Sequence, residues 1–274
     1  MVTLALDSKE LAEKYDELSD SQFENGKRLV EKLGISTGQT VLDIGCGTGR
    51  LGFHVVNLIG PRGKFFGADP LPERISIATK KNRFPNAHFV VGSGEDLGFV
   101  PSESVDAVYL SAVFHWIPDK EKALEEIRRV LKPGGKVGIT TGAQELAHTA
   151  CFRVVTDSVL SRKPYSEVVK PEDYVTAKHG VTSTRLVELL LAADLDISGV
   201  EIVSRRRRFA TGAQIVDFLE SSTFGNYLNH VPIELRDQAR EDIVAEFENR
   251  RTEDGIDFHG YTIFGIAEKK SAAV

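Results

Sequence analysis

Three glycines at alternate positions, Gly45, Gly47 and Gly49, separate the apolar run Val41-Leu42-Asp43-Ile44 from a segment carrying Leu51, Phe53, Val55, Val56 and Ile59. A strand that turns sharply into a helix needs residues free to take positive φ, and a ligand lying on the turn needs backbone without Cβ atoms. The helix start then directs its N–H groups and positive dipole end at a polar or anionic group. A nucleotide-like ligand fits that pattern. Asp69 falls 20 residues after Gly49, where an ionised carboxylate would accept hydrogen bonds from vicinal ribose hydroxyls. Gly47-Thr48-Gly49-Arg50-Leu51-Gly52 also satisfies the G-x-G-x-x-G fingerprint. On this motif alone NAD, FAD and other adenosine derivatives stay open.

Positioning such a turn takes a sheet. Strand and helix signals alternate through residues 37–142, which argues for βαβ units and a mostly parallel sheet. Strands are expected at Thr40–Ile44, Lys64–Ala68, Ala87–Val91, Val105–Leu110 and Lys136–Thr141, the last preceded by a Lys132-Pro133-Gly134-Gly135 turn. Helices are expected at Arg50–Ile59, Glu73–Lys81 and Lys120–Leu131, the last with Ala123, Leu124, Ile127, Val130 and Leu131 on one face. Residues 1–36 read as a helical lead-in bearing Leu11, Tyr15, Leu18, Phe23, Leu29, Val30 and Leu33. The alternation breaks after 142. Residues 143–181 read as an insertion with one helix, Ala147–Leu160, and a loop. Thr182 or Ser183 caps a helix buried through Leu186, Leu189, Leu190 and Ala193. A sixth strand runs from about Ile197 into Arg205–Phe209. Residues 210–256 form a second insertion with helices at Gln214–Ser221 and Ile233–Arg250, and Gly260–Glu268 alternates as a last strand.

The motif Asp43-Ile44-Gly45-Cys46-Gly47-Thr48-Gly49 resembles the first motif of the class I S-adenosylmethionine-dependent methyltransferases, acid-x-G-x-G-x-G. The likeness continues through Gly67-Ala68-Asp69, Gly92-Ser93-Gly94-Glu95-Asp96-Leu97, Ser104-Val105-Asp106-Ala107-Val108 and Ile127-Arg128-Arg129-Val130-Leu131-Lys132-Pro133-Gly134-Gly135. A dehydrogenase gives no reason for the Leu-Lys-Pro-Gly-Gly turn. The resemblance implies an α/β fold: a Rossmann-like, seven-stranded, mostly parallel sheet with helices on both faces, an antiparallel last strand and helical lid insertions. The chain is then one methyltransferase domain over 1–274, with S-adenosyl-L-methionine as cofactor.

It further implies that Asp43 helps hold the methionine amino group, and that Gly45, Cys46 and Gly47 let the ligand approach the backbone. Asp69 would bind the ribose diol and Leu71 would pack on the adenine. Many relatives carry an aspartate where Ser93 stands, so the adenine amino group falls to Ser93 or to Gly94, Glu95 and Asp96. Ser111 and Ala112 would lie beside the sulfonium, and Tyr15 counts among the cofactor contacts. Plainer readings stand beside these: backbone capping for Asp43, a turn before Pro70 for Asp69, small-residue packing for Cys46 and an ordinary loop position for Ser93.

Methyl transfer from a sulfonium already has a good leaving group, so alignment of the acceptor and exclusion of water do much of the work. A base is needed only where the acceptor must lose a proton. Val113-Phe114-His115-Trp116-Ile117-Pro118 follows the fourth strand and holds the only tryptophan. His115 titrates near physiological pH in its ordinary state and is the candidate base; the alternative is aromatic packing over the cofactor. Phe114, His115, Trp116, Tyr165 and Tyr227 are the candidate acceptor contacts, with His148, Tyr174, Phe224 and His230 in the same insertions. Arg205-Arg206-Arg207-Arg208 would place two arginines on each side of a strand, where one pair could meet an acidic acceptor.

The chain has 274 residues, 41% of them apolar and 27% charged, with a formal net charge of -6. That balance gives no general attraction to nucleic acid or to an anionic membrane. No apolar run approaches the ~20 residues of a membrane span. The four glutamates and three aspartates of residues 1–25 do not suit a secretory leader. Cys46 and Cys151 are too few for a disulfide framework or a multi-cysteine metal site, and no metal is expected. The partner expected is a small-molecule acceptor in the cytoplasm, with oligomeric state open. An arsenite methyltransferase is disfavoured by the scarcity of cysteine, and a protein-arginine methyltransferase by the lack of a double-glutamate loop. A non-catalytic adenosyl-binding protein and an NAD-dependent oxidoreductase are the rival readings.

Overall fold

The computed structural model describes residues 3–170 and 180–271. Seven strands form one sheet: β1 (Thr40–Ile44), β2 (Lys64–Asp69), β3 (Ala87–Val91), β4 (Val105–Ser111), β5 (Leu131–Gly142), β6 (Leu195–Phe209) and β7 (Ile256–Lys269). They lie in the order β3-β2-β1-β4-β5-β7-β6. β1 pairs in parallel with both β2 and β4, β2 with β3, and β4 with β5. The sheet is mostly parallel with an antiparallel pair and flanking helices, as the alternation and the resemblance led one to expect. Strand order reverses at β1, which puts β2 on one side of it and β4 on the other. In open α/β sheets such a switch point opens a crevice at the carboxyl ends of the strands.

Helices α1 (Lys9–Leu18), α2 (Asp20–Leu33), α3 (Arg50–Ile59), α4 (Pro72–Lys81), α5 (Lys120–Val130), α6 (Cys151–Leu160), α7 (Ser183–Ala192), α8 (Gly212–Ser222) and α9 (Ile233–Glu248) complete the described chain. Four of these nine start at a side-chain cap. Ser8, Asp119, Thr182 and Thr211 accept hydrogen bonds from Leu11, Lys122, Arg185 and Gln214 N–H groups, so Thr182 rather than Ser183 caps α7.

The chain divides into two compact units. One comprises Met1–Ser19, Ala143–Gly180 and Val203–Thr262; the other comprises Asp20–Gly142, Val181–Ile202 and Ile263–Val274. The first unit has its own core, in which Val155, Val159, Tyr165, Phe209, Ile215, Leu219, Ile243 and Phe247 are buried. The core of the second is built on Val41, Leu42, Ile44, Phe65, Val108, Tyr109, Leu110, Ile127 and Val137, all at most 2% exposed.

Three boundaries differ from expectation by more than two residues, each for a local reason. β5 begins at Leu131, not Lys136: Val105 pairs with Leu131 and Ala107 with Lys136, so the Lys-Pro-Gly-Gly stretch bulges out of a continuing strand, with Gly134 at φ 76°. The helix expected over Ala147–Leu160 is two pieces, a 3-10 segment Gln144–Thr149 and α6, because Ala150 is extended at ψ 132°. β7 starts at Ile256, earlier than Gly260. Its residues Thr262–Gly265 are all buried because β7 lies between β5 and β6. Tyr174 lies outside the described residues.

Candidate cofactor and acceptor site

The glycine turn between β1 and α3 is held by its neighbours. Gly45 and Cys46 N–H groups both donate to the Ala68 carbonyl on β2, at 2.7 and 3.0 Å, and Gly49 N donates to Cys46 O at 3.0 Å. Gly45 has φ 77°, and a Cβ there would lie 2.2 Å from the Val113 side chain. Gly49 has φ 80° and starts α3 without a side-chain cap. A helix start beside a bare backbone turn suits the anionic end of a ligand.

Asp69 closes the turn from the other strand. Gly47 N donates to its Oδ2 at 2.8 Å and Leu71 N to its Oδ1 at 3.0 Å. The carboxylate is buried, and Leu71 beside it is 4% exposed. A carboxylate fixed by two backbone donors and flanked by an apolar side chain fits a ribose diol with an adenine next to it.

Asp43 sits on β1 directly across from Tyr109 on β4. The Tyr109 hydroxyl donates to Asp43 Oδ2 at 2.8 Å. Burial pushes the Asp43 carboxyl up to about 8; the tyrosine bond pulls the other way, and the charge of Asp69 adds to the rise. Tyr109 and the Cys46 thiol are both driven up by burial, with Asp43 adding to each rise. Cys46 is therefore a neutral packing residue in this turn, not a nucleophile.

The loop after β3 carries Ser93, Gly94 and Glu95. Gly92 N donates to Asp69 O at 3.1 Å, and a Cβ on Gly94 would stand 3.2 Å from both Ile44 and Ile117. Further on, Leu97 N donates to Glu126 Oε2 at 3.0 Å, while Arg129 donates to Leu97 O at 2.9 Å and Val100 O at 3.1 Å. Arg129 also bonds Glu126 and holds that carboxyl below its usual range. This α5 clamp fixes the end of the loop.

After Ser111 the chain takes a positive φ at a residue with a side chain. Ala112 has φ 60°, and its N–H donates to both the carbonyl and the hydroxyl of Thr140, each at 3.0 Å. A left-handed alanine needs such holding, and strain of this kind gathers at functional sites. The short 3-10 segment Phe114–Trp116 follows. His115 Nδ1 lies 3.1 Å from Thr141 Oγ1, and its ring is 4.8 Å from that of Trp116. Phe114 points inward and is fully buried, with Lys120 Nζ 5.6 Å from its ring. Lys120 Nζ donates to Ile117 O at 2.7 Å, which ties this segment to the first turn of α5.

The second unit thus brings together Asp43, Gly45, Cys46, Gly47, Asp69, Leu71, Ser93, Gly94, Glu95, Ser111, Ala112, Phe114, His115 and Trp116 at the ends of β1 to β4. Three named residues belong to the first unit instead. Tyr15 lies on α1. Tyr165 is 1% exposed and its hydroxyl donates to Asp242 Oδ2 at 2.5 Å. Tyr227 is 7% exposed and its hydroxyl is 2.6 Å from Thr156 Oγ1. Both tyrosines have clear packing roles there. Tyr109, Thr140, Thr141, Val113 and the Arg129–Glu126 clamp escaped the sequence reading. Only strand register, which sets Tyr109 against Asp43, would have pointed to the first.

A family model described as a methyltransferase domain matches residues 42–139, the stretch from β1 to β5. A demethylmenaquinone methyltransferase from Lactobacillus johnsonii is 30% identical over 174 residues, covering 60% of this chain and 70% of that protein. The chain belongs to the class I S-adenosylmethionine-dependent methyltransferases. An arsenite methyltransferase from Halobacterium salinarum is 30% identical over 213 residues, covering 76% of this chain. The chain spans 49% of that protein's length and about half of several other curated methyltransferases it matches. The YcgJ protein of Bacillus subtilis has the same fold, with a TM-score of 0.59 at 18% identity over 91% of this chain and 99% of that one. S-adenosyl-L-methionine is the cofactor of this methyltransferase family, and the donor set at β1 and β2 fits it.

Proposed function

We propose that the chain methylates a small-molecule acceptor from S-adenosylmethionine by in-line transfer. The reading rests on one observation above all: Asp69, anchored by the Gly47 and Leu71 N–H groups, faces a glycine turn whose helix start has no side-chain cap. The cofactor supplies a methyl group on a sulfonium, a leaving group that needs no further activation.

The residues of the chain do the rest. Asp69 accepts from the ribose diol, Leu71 packs on the adenine, and Ser93 with Gly94 and Glu95 lines the adenine edge. Gly45, Cys46 and Gly47 let the methionine portion lie against backbone. Asp43 orders that end through its hydrogen bond with Tyr109. Ser111 and Ala112 flank the reacting centre. His115, set by Thr141, and Trp116 beside it meet the acceptor, and the histidine takes a proton where the acceptor has one to lose.

The names of two curated relatives, for demethylmenaquinone and arsenite, both denote small-molecule acceptors. Arsenite is the poorer acceptor for this chain, since Cys46 and Cys151 are both buried and burial raises both thiols. Two free, buried cysteines also suit a reducing compartment such as the cytoplasm. No helix among the described residues is long and apolar enough to cross a membrane.

The test is release of S-adenosylhomocysteine on incubation with S-adenosylmethionine and a fractionated small-metabolite extract. Acceptor-dependent release is expected, and His115→Ala should lower the turnover rate with little change in cofactor affinity. Tight cofactor binding with no release from any fraction would replace this reading by a non-catalytic adenosyl-binding one.

A further inference from the structure

The run Arg205-Arg206-Arg207-Arg208 on β6 is not among the residues assigned to the cofactor. Alternate residues of a strand face opposite sides, so the four arginines sort into two pairs. On one side Arg208 is neutralised: its Nε donates to Asp257 Oδ1 at 3.0 Å and its Nη1 lies 3.3 Å from Asp254 Oδ2. Arg206 beside it is exposed. On the other side Arg207 is committed to the fold. Its Nη1 donates to Leu18 O at 2.8 Å, and its guanidinium lies 4.1 Å from the centre of the Phe209 ring and 4.9 Å from that of Phe218.

Arg205 shares that second side and differs from all three. Its Nε is sealed from solvent and has no hydrogen-bond partner, although the residue as a whole is only partly buried. No carboxylate pairs with it among the described residues, and burial alone pulls its pKa below the usual arginine value. Sealing part of a guanidinium from water without a counter-charge or a hydrogen bond costs stability.

The neighbouring strand supplies the rest of the arrangement. Phe209 O lies beside Gly255 while Arg208 bonds Asp257, so β6 and β7 run antiparallel here. The Phe209 ring lies 5.4 Å from that of Phe258, so Arg205, Arg207 and Phe209 on β6 share a face with Phe258, Gly260 and Thr262 on β7. A Cβ built on Gly260 meets nothing within 4 Å, so that side of the strand is open. Thr262, on the same side of β7 as Gly260, is 4% exposed, and its Oγ1 is buried without a hydrogen-bond partner. A cation with an unpaired Nε, an open patch of backbone and an unpaired hydroxyl therefore share one face of adjacent strands within one compact unit.

We propose that Arg205 and Thr262 form a binding site for a carboxylate, the guanidinium fork taking the anion and the threonine hydroxyl donating to it. One cation without a counter-charge matches one negative charge. A phosphate monoester, close to doubly charged at neutral pH, would ask for a second cation that Arg207 does not offer. The proposal does not depend on methyl transfer, and its test reads binding alone.

The experiment follows arginine Nε–H resonances of the full chain during titration with acetate, acetamide and inorganic phosphate at constant ionic strength. One resonance, missing in Arg205→Met, should shift saturably with acetate and stay still with acetamide. Thr262→Val should keep that resonance and weaken the acetate response several-fold. The thermal midpoint of Arg205→Met should rise, since an apolar side chain of similar length relieves the buried charge. A tighter response to phosphate than to acetate would overturn the carboxylate assignment. Absence of any saturable response, or an Arg205→Met chain that melts lower or does not fold, would overturn the site and make Arg205 a structural residue.

Discussion

Asp43 carries the least ordinary charge in the site. It is fully enclosed between β1 and β4, and burial lifts its carboxyl from 3.8 to about 8 despite the hydrogen bond from Tyr109. In the unfolded chain that carboxyl titrates near its ordinary value. Between the two values the folded state therefore holds a proton that the unfolded state has lost. The contribution of Asp43 to stability is fully present below 3.8 and falls away as pH rises toward 8, by up to about 1.4 kcal/mol per pH unit. Asp43→Asn keeps an acceptor for Tyr109 and removes the titration. Urea denaturation of the cofactor-free protein should show the variant gaining on the parent steadily between pH 4 and 8. Parallel stability profiles would mean that Asp43 is ionised throughout. Asp43 itself was legible as part of the motif, but its state was not. The state depends on Tyr109, 66 residues away and brought opposite by register alone.

At the scale of the element, the β1–α3 turn is where backbone conformation and packing meet. Gly45 needs φ 77° and leaves no room for a Cβ, because Val113 from the segment after β4 fills the space. Gly45→Ala should therefore lose roughly 1–2 kcal/mol from the left-handed backbone, with a further loss from the clash. Urea denaturation of Gly45→Ala, Val113→Ala and the double variant separates the two. The double variant should recover the steric part and keep the backbone part. A clash that the fold absorbs elsewhere would show as simple additivity. The strand–helix alternation through β5 was readable because apolar runs and turn residues fall at the spacing of βαβ units. The bulge at Lys132–Gly135 and the break at Ala150 were not, since each depends on a neighbouring strand or on one residue's ψ, and neither leaves a mark on periodicity.

For the molecule as a whole, the parallel sheet with β1 at its switch point explains why one stretch of sequence dominates the chemistry. The ends of β1, β2, β3 and β4 bring the proposed cofactor-side residues together; the glycine turn and Asp69 were named from their types and spacing, the others through the family resemblance. The acceptor side was less so. Phe114, adjacent in sequence to His115, turns into the core, and Tyr165 and Tyr227 fill the interior of the first unit with their hydroxyls engaged. Aromatic residues in an insertion have no period that separates a pocket wall from a core. The arginine run shows the same limit: four identical residues have different surroundings, and of the four only Arg205 has a buried donor without a hydrogen-bond partner.

The central claim is that the turn and Asp69 hold S-adenosylmethionine. Calorimetric titration of the purified chain with S-adenosylmethionine and with NAD, repeated on Asp69→Ala, tests it most directly. The chain should bind S-adenosylmethionine and show no saturable heat with NAD. Asp69→Ala should lose one or two charge-assisted hydrogen bonds, each worth roughly 1.5–3 kcal/mol, and so weaken binding by about tenfold or more. Tighter binding of NAD, or an unchanged affinity in Asp69→Ala, would contradict the account.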